Sequence, residues 1–221
     1  MSAHERLHDV SDQSSWGPAL DDAVAAIGRG DLVVLPTDTV YGVGADAFSR
    51  TAVDALLAAK GRGRQMPPPG LVPDGGTLDG RAADVPAAVR ELVAQFWPGA
   101  LTIICRAQPS LDWDLGATRG TVALRMPDHP AALALLRRTG PLAVSSANHT
   151  GWPAALTAVD ALDQLGDAVA VYLDAGVAPG VASAIVDATG DRLRLVRAGS
   201  IGIEALRAVA PVDDQTLGDA G

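Results

Sequence analysis

Two patterns alternate along the chain. Apolar residues recurring every three or four positions predict helices, and short unbroken apolar runs bounded by Gly, Pro or Ser predict buried strands. Trp16 to Ile27 reads as a helix, with Ser15 as its N-cap and Gly28 or Gly30 as its stop. Residues 32–35 read as a short buried strand that opens into a loop, Pro36-Thr37-Asp38-Thr39-Val40-Tyr41-Gly42-Val43-Gly44. Ser49 is placed to cap a helix over Arg50 to Lys60, and Gly61 ends it. Residues 61–80, with six glycines and four prolines, read as one long irregular loop. Further helices are expected over Val89 to Phe96, over Pro130 to Arg138, from a Thr157 cap to Leu165 and over Ile203 to Val209. Strands are expected over Leu101 to Arg106, Thr121 to Met126, Leu142 to Ser145, Ala168 to Leu173, Ser183 to Asp187 and Arg192 to Arg197. Strands mixed in this way with helices and short turns predict an α/β fold with a mixed sheet. Residues 1–15 read as a flexible polar tail, 16–210 as one domain and 211–221 as a disordered acidic tail.

Composition narrows the class. With 221 residues, 48% of them hydrophobic, the chain can bury one sizeable core. Aromatics make up only 4%, so Ala, Val, Leu and Ile must build that core. The start of the chain has no basic-then-apolar signal pattern, and no apolar run approaches membrane-spanning length. Cys105, the single cysteine, sits in an apolar run and reads as a buried thiol. A cytoplasmic protein with no membrane association is the expectation. The formal charge of −9 and the scarcity of aromatics argue against stable nucleic-acid binding. Of 17 basic residues only one, Lys60, is a lysine. A compact ammonium and a guanidinium fork are not equivalent, so that position is a candidate for chemistry as well as an ordinary surface lysine.

Polar chemistry gathers where strands end. Val33-Val34-Leu35 gives way to Thr37-Asp38-Thr39, and Leu142-Ala143-Val144 to Ser145-Ser146-Ala147-Asn148. Ligands of open α/β sheets collect at such ends, although either segment alone is also what a capped turn looks like. Lys60-Gly61-Arg62-Gly63-Arg64 places three cations in five residues, suited to a polyphosphate or to a solvated helix end. Alternation on a strand puts Thr121, Ala123 and Arg125 on one face, where the arginine could clamp a carboxylate. His4, His8, His129 and His149 have no metal-ligand spacing, and there is no GxSxG or CxxC motif.

In this order the segments resemble the YrdC/Sua5 family of threonylcarbamoyl-AMP synthases, in its short form. The segments are Pro36 to Gly44, Lys60-Gly61-Arg62, Thr121 to Pro127, Ser146 to Gly151, Ser183 to Asp187 and Arg197-Ala198-Gly199, spread over residues 20–205. The resemblance implies a twisted mixed sheet with flanking helices around a large concave cleft. It implies synthesis of threonylcarbamoyl-AMP from L-threonine, bicarbonate and ATP, with release of pyrophosphate. The product would feed the N6-threonylcarbamoyl modification of adenosine 37 in tRNA through a separate transferase complex. Lys60 and Arg62 would be catalytic and would hold ATP together with Thr121, Ser146, Asn148 and Arg197. Thr37, Thr39, Arg125, Val144 and Ser183 would form the threonine pocket. Mg²⁺ would arrive with ATP. Two segments depart from the family pattern: Leu71 replaces a histidine, and Ala182-Ser183-Ala184-Ile185 stands for a Glu-Ser-Thr-Ile/Val run. The alternative is an RNA-binding or ribosome-maturation module on the same fold without synthase activity.

Overall fold

The structure, a computed structural model, describes residues 3–216. Twelve strands form one mixed sheet: β1 Leu7–Asp9, β2 Val33–Leu35, β3 Gly42–Asp46, β4 Gly70–Leu71, β5 Ala82–Ala83, β6 Leu101–Ala107, β7 Thr121–Arg125, β8 Leu142–Ser146, β9 Val171–Asp174, β10 Ala184–Asp187, β11 Leu193–Arg197 and β12 Val212–Asp214. Seven helices flank it: α1 Trp16–Gly28, α2 Arg50–Ala59, α3 Thr77–Arg81, α4 Ala87–Phe96, α5 Pro130–Thr139, α6 Ala158–Leu165 and α7 Ile203–Arg207. The strand order is β1-β9-β2-β3-β8-β4-β7-β6-β10-β11-β12, with β5 added alongside β6. The expected mixed α/β fold is the one observed.

Local chemistry explains several boundaries. Ser49 caps α2, its Oγ accepting from Ala52 N at 3.3 Å, as the sequence predicts. Thr157 caps α6 in a reciprocal box with Asp160. The side chain of Ser15, expected to cap α1, lies outside the described part of the chain. A short 3₁₀ turn, Gln13–Ser15, capped by Asp12, leads into that helix instead.

Four expectations are corrected. The segment after β2 is not all loop, because Gly42 to Asp46 is the central strand β3, antiparallel to both β2 and β8. Its glycines imitate a turn in sequence but serve close approach. A Cβ on Gly42 would meet Val144 Cγ1 at 2.6 Å. The stretch 61–80 contains β4 and most of α3. The polar start is not a loose tail, since β1 pairs parallel with β9. The acidic end contributes β12, parallel to β11, while 217–221 lie outside the described residues.

Strand alternation divides the core in three. One sheet face packs Val34, Val43 and Ala45 against α2 and α6. Further along, the same face packs Ile103, Val122 and Leu124 against α4 and α7. The opposite face packs Val33, Leu35, Leu71 and Val144 against α1 and α5. That second cover ends at β4. On β7, β6 and β10 the positions in register with it include Arg125, Ala123, Thr121, Thr102, Ile104 and Ile185. None of these six belongs to a core cluster, and all six line a cleft. The cleft is therefore the half of a sheet face that no helix covers.

Candidate active-site cleft

The cleft has a volume of about 510 Å³, within the range of small-molecule sites. Arg125 lines it. It sits at the last residue of β7 and is only 7% exposed. Its Nε donates to Gly99 O at 3.0 Å, Nη1 to Thr39 Oγ1 at 2.9 Å and Nη2 to Asp38 Oδ1 at 2.5 Å. A guanidinium has five N–H groups, so one on each terminal nitrogen is left to donate. Thr39 and Thr37 follow from proton counting. Thr37 Oγ1 donates its one proton to Val40 O at 2.6 Å. The 2.9 Å contact between the two hydroxyls must therefore use the proton of Thr39. Thr39 accepts from Arg125, donates to Thr37, and is fixed in orientation.

Ser183 lines the cleft where the chain enters β10. Its Oγ is 2.9 Å from Thr102 Oγ1 and accepts from Arg197 Nη2 at 2.9 Å. Arg197 also donates twice to Ser183 O, at 2.9 and 3.1 Å. Gly199 makes this meeting possible, since a Cβ there would stand 2.1 Å from Ala184 N. Arg62 faces the cleft from the segment after α2, with a buried Nε that has no partner in the protein. Burial holds both Arg62 and Arg197 below the ordinary guanidinium pKa. Two cations facing one cleft favour an anionic ligand.

Lys60 is placed differently from expectation. It is 2% exposed and does not line the cleft. Its Nζ donates to Ser146 O at 2.5 Å and to Asn148 O at 2.6 Å, and its own carbonyl accepts from Thr150 N at 2.9 Å. Burial, then repulsion from Arg62, lowers its pKa to about 8. Asn148 also sits behind the wall, its Nδ2 donating to His149 O at 2.7 Å and Trp152 O at 2.9 Å. Together these two residues shape the loop after β8 from behind. Arg64, third of the clustered cations, is turned away and pairs with Asp54 and Asp114.

Of the residues singled out from sequence, Thr37, Thr39, Arg62, Thr121, Arg125, Val144, Ser146, Ser183 and Arg197 all line the one cleft. Leu71 lines it too, while packing into the cluster under α1 and α5. Sequence reasoning missed Thr102, whose signal was a polar residue among apolar ones on β6 in phase with Ile104. It also gave Asp38 no role, because only the tertiary structure shows which cation it meets. Among the described residues, no group of three or more His, Cys, Asp or Glu could hold a metal ion, and no carboxylate lines the cleft.

The Sua5/YciO/YrdC family model, described as "Telomere recombination", matches residues 25–199. A protein of Mycobacterium tuberculosis (strain H37Rv), whose name assigns it provisionally as a threonylcarbamoyl-AMP synthase, is 51% identical over 210 residues, covering 95% of this chain and 97% of that one. The threonylcarbamoyl-AMP synthase of Bacillus subtilis is 38% identical over 205 residues, covering 91% of this chain and 59% of that longer protein. Among solved structures, Sua5 of P. abyssi complexed with L-threonine superposes with a TM-score of 0.86 at 29% identity, covering 93% of this chain and 62% of that one. With a family model spanning most of its length and a half-identical relative over nearly all of it, the chain belongs to the Sua5/YciO/YrdC family.

Proposed function

We propose that the protein is a threonylcarbamoyl-AMP synthase and that the cleft is its active site. One observation carries the reading. A buried arginine with two free N–H groups, beside two wired threonine hydroxyls, shares an anion-favouring cleft with Arg62 and Arg197. The first group suits an amino-acid carboxylate, which an arginine fork binds in two-point fashion. The second suits the phosphates of ATP. Sua5 of P. abyssi has been solved with L-threonine, the substrate this reading requires.

In the proposed reaction the threonine amine and bicarbonate form a carbamate with loss of water. A carbamate oxygen then attacks the α-phosphorus of ATP, the bond to the β-phosphate oxygen breaks, and pyrophosphate leaves. The residues contribute position and charge. Arg125, Thr37, Thr39 and Ser183 hold threonine over the uncovered floor, with Val144 as an apolar side. Arg62, Arg197, Thr121 and Ser146 face the nucleotide. Preorganised donors in a site of low polarity are worth more than the same groups in water. Lys60 and Asn148 act on the nucleotide by holding the Ser146 loop. The cleft lining offers hydroxyls and carbonyls, so Mg²⁺ would be held by the triphosphate rather than by a protein cage. The adenylate would pass to a tRNA threonylcarbamoyl-transferase complex.

Pyrophosphate release from ATP is expected to require both L-threonine and bicarbonate, since both supply the nucleophile. The check is a coupled pyrophosphate assay with each omitted in turn. Equal release without threonine would refute the reading.

A further inference from the structure

We infer that Asp38 is a positioning residue that sets the carboxylate clamp by holding Arg125. The inference rests on the proposed function for the identity of the ligand, but not for the geometry. Asp38 Oδ1 takes two donors at once: Arg125 Nη2 at 2.5 Å and the backbone N of Asp128 at 3.0 Å. It therefore joins three elements: the turn after β2, the end of β7 and the entry to α5. Its side chain is 17% exposed and does not line the cleft, so it acts through the arginine and not on substrate.

The physical need is clear from Arg125. A guanidinium buried without a counter-charge is strongly disfavoured. Gly99 O and Thr39 Oγ1 orient Nε and Nη1 but bring no charge. Asp38 brings the charge and fixes the remaining nitrogen. With all three nitrogens held, the two spare N–H groups keep one direction before any substrate arrives. Without Asp38, the fork loses one anchor and must be ordered at the expense of binding. His129, next to Asp128, has a buried Nδ1 with no partner and a pKa lowered by burial. A neutral imidazole there leaves Asp38 to the arginine.

The test uses Asp38→Asn and Asp38→Ala, separately and each combined with Arg125→Ala. Asp38→Asn keeps the shape and one acceptor oxygen while removing the charge. L-threonine and ATP affinities are read by calorimetry. We expect threonine to bind roughly tenfold more weakly to Asp38→Asn and more weakly still to Asp38→Ala, with ATP affinity within about twofold. In the Arg125→Ala background, substituting Asp38 is expected to change threonine affinity by less than about twofold, because its route of action is gone. Equal loss of both ligands, or full additivity with Arg125→Ala, overturns the inference. A second readout needs no ligand. In ¹⁵N spectra of the free protein, the guanidinium signals of Arg125 are expected to broaden or collapse in Asp38→Asn, and unchanged signals overturn the inference. If wild type shows no threonine binding while these signals change as expected, the proposed substrate fails and the positioning role stands.

Discussion

Lys60 shows how one buried charge couples stability to activity. Its pKa in the folded protein, about 8, lies below the ordinary 10.5. Between those values the unfolded chain binds more protons than the folded one, so stability rises with pH across that window. The burial cost is fully present below pH 8 and is relieved as pH increases, by about 3 kcal/mol in all. Activity should run the other way. The protonated ammonium braces the carbonyls of Ser146 and Asn148, and a neutral amine gives up part of that brace. The rate is therefore expected to fall as pH rises through about 8, while the melting temperature rises relative to Lys60→Met. Paired pH–rate and melting profiles of the two proteins check this. A constant difference in melting temperature from pH 7 to 10 would contradict it.

At the scale of elements, glycines with different surroundings give opposite expectations. Gly199 follows β11 and lies against the entry to β10, where a Cβ would stand 2.1 Å from Ala184 N and 2.3 Å from Ser183 C. Those are backbone atoms and cannot step aside. Gly199→Ala should cost about 1–3 kcal/mol of stability. It should also push Ser183 away from Arg197, weakening both ligands. A Cβ on Gly28, the last residue of α1, would meet nothing within 4 Å. Gly28→Ala should therefore stabilise by about 0.4–1 kcal/mol without touching activity. Denaturant melts of both variants, with ligand titrations, separate the two cases. The same logic explains why Gly42 marks a central strand rather than a turn: its missing side chain admits Val144.

Across the whole molecule, the cleft wall is tied together by charge. Arg64 pairs with Asp54 on α2 and with Asp114 in the segment between β6 and β7, and Arg50 reaches Asp114 at 3.4 Å. Ala117 N also donates to Arg64 O at 2.8 Å. This fastens the segment carrying Arg62 to the one carrying Leu115 and Thr118, which line the cleft. The pairs are half-exposed, and each contributes only about 0–1 kcal/mol. Arg64→Ala should leave the melting temperature nearly unchanged. It should raise the KM for ATP and expose the 61–69 segment to protease. About 1 M salt should mimic this in wild type, because exposed pairs are screened. Limited proteolysis at low and high salt provides the measurement.

Much of the site was legible along the chain, since strand ends bearing small hydroxyls and a phased Thr121, Ala123 and Arg125 follow from local alternation. The Ser49 and Thr157 caps were legible for the same reason: a cap is a contact over three residues. Long-range pairing decided the rest. Leu7 to Asp9 and Val212 to Asp214 have the composition of tails and become strands only because β9 and β11 offer them edges. The partner of Asp38 lies 87 residues away, and that of Lys60 Nζ 86 residues away, so neither could be read from spacing. The order of residue types alone was enough to pick out most of the polar residues that meet at one cleft. Folding then sorted them into those that face the cleft and those that hold it from behind, because a side chain's neighbours depend on which strands meet and on where the helices stop covering the sheet.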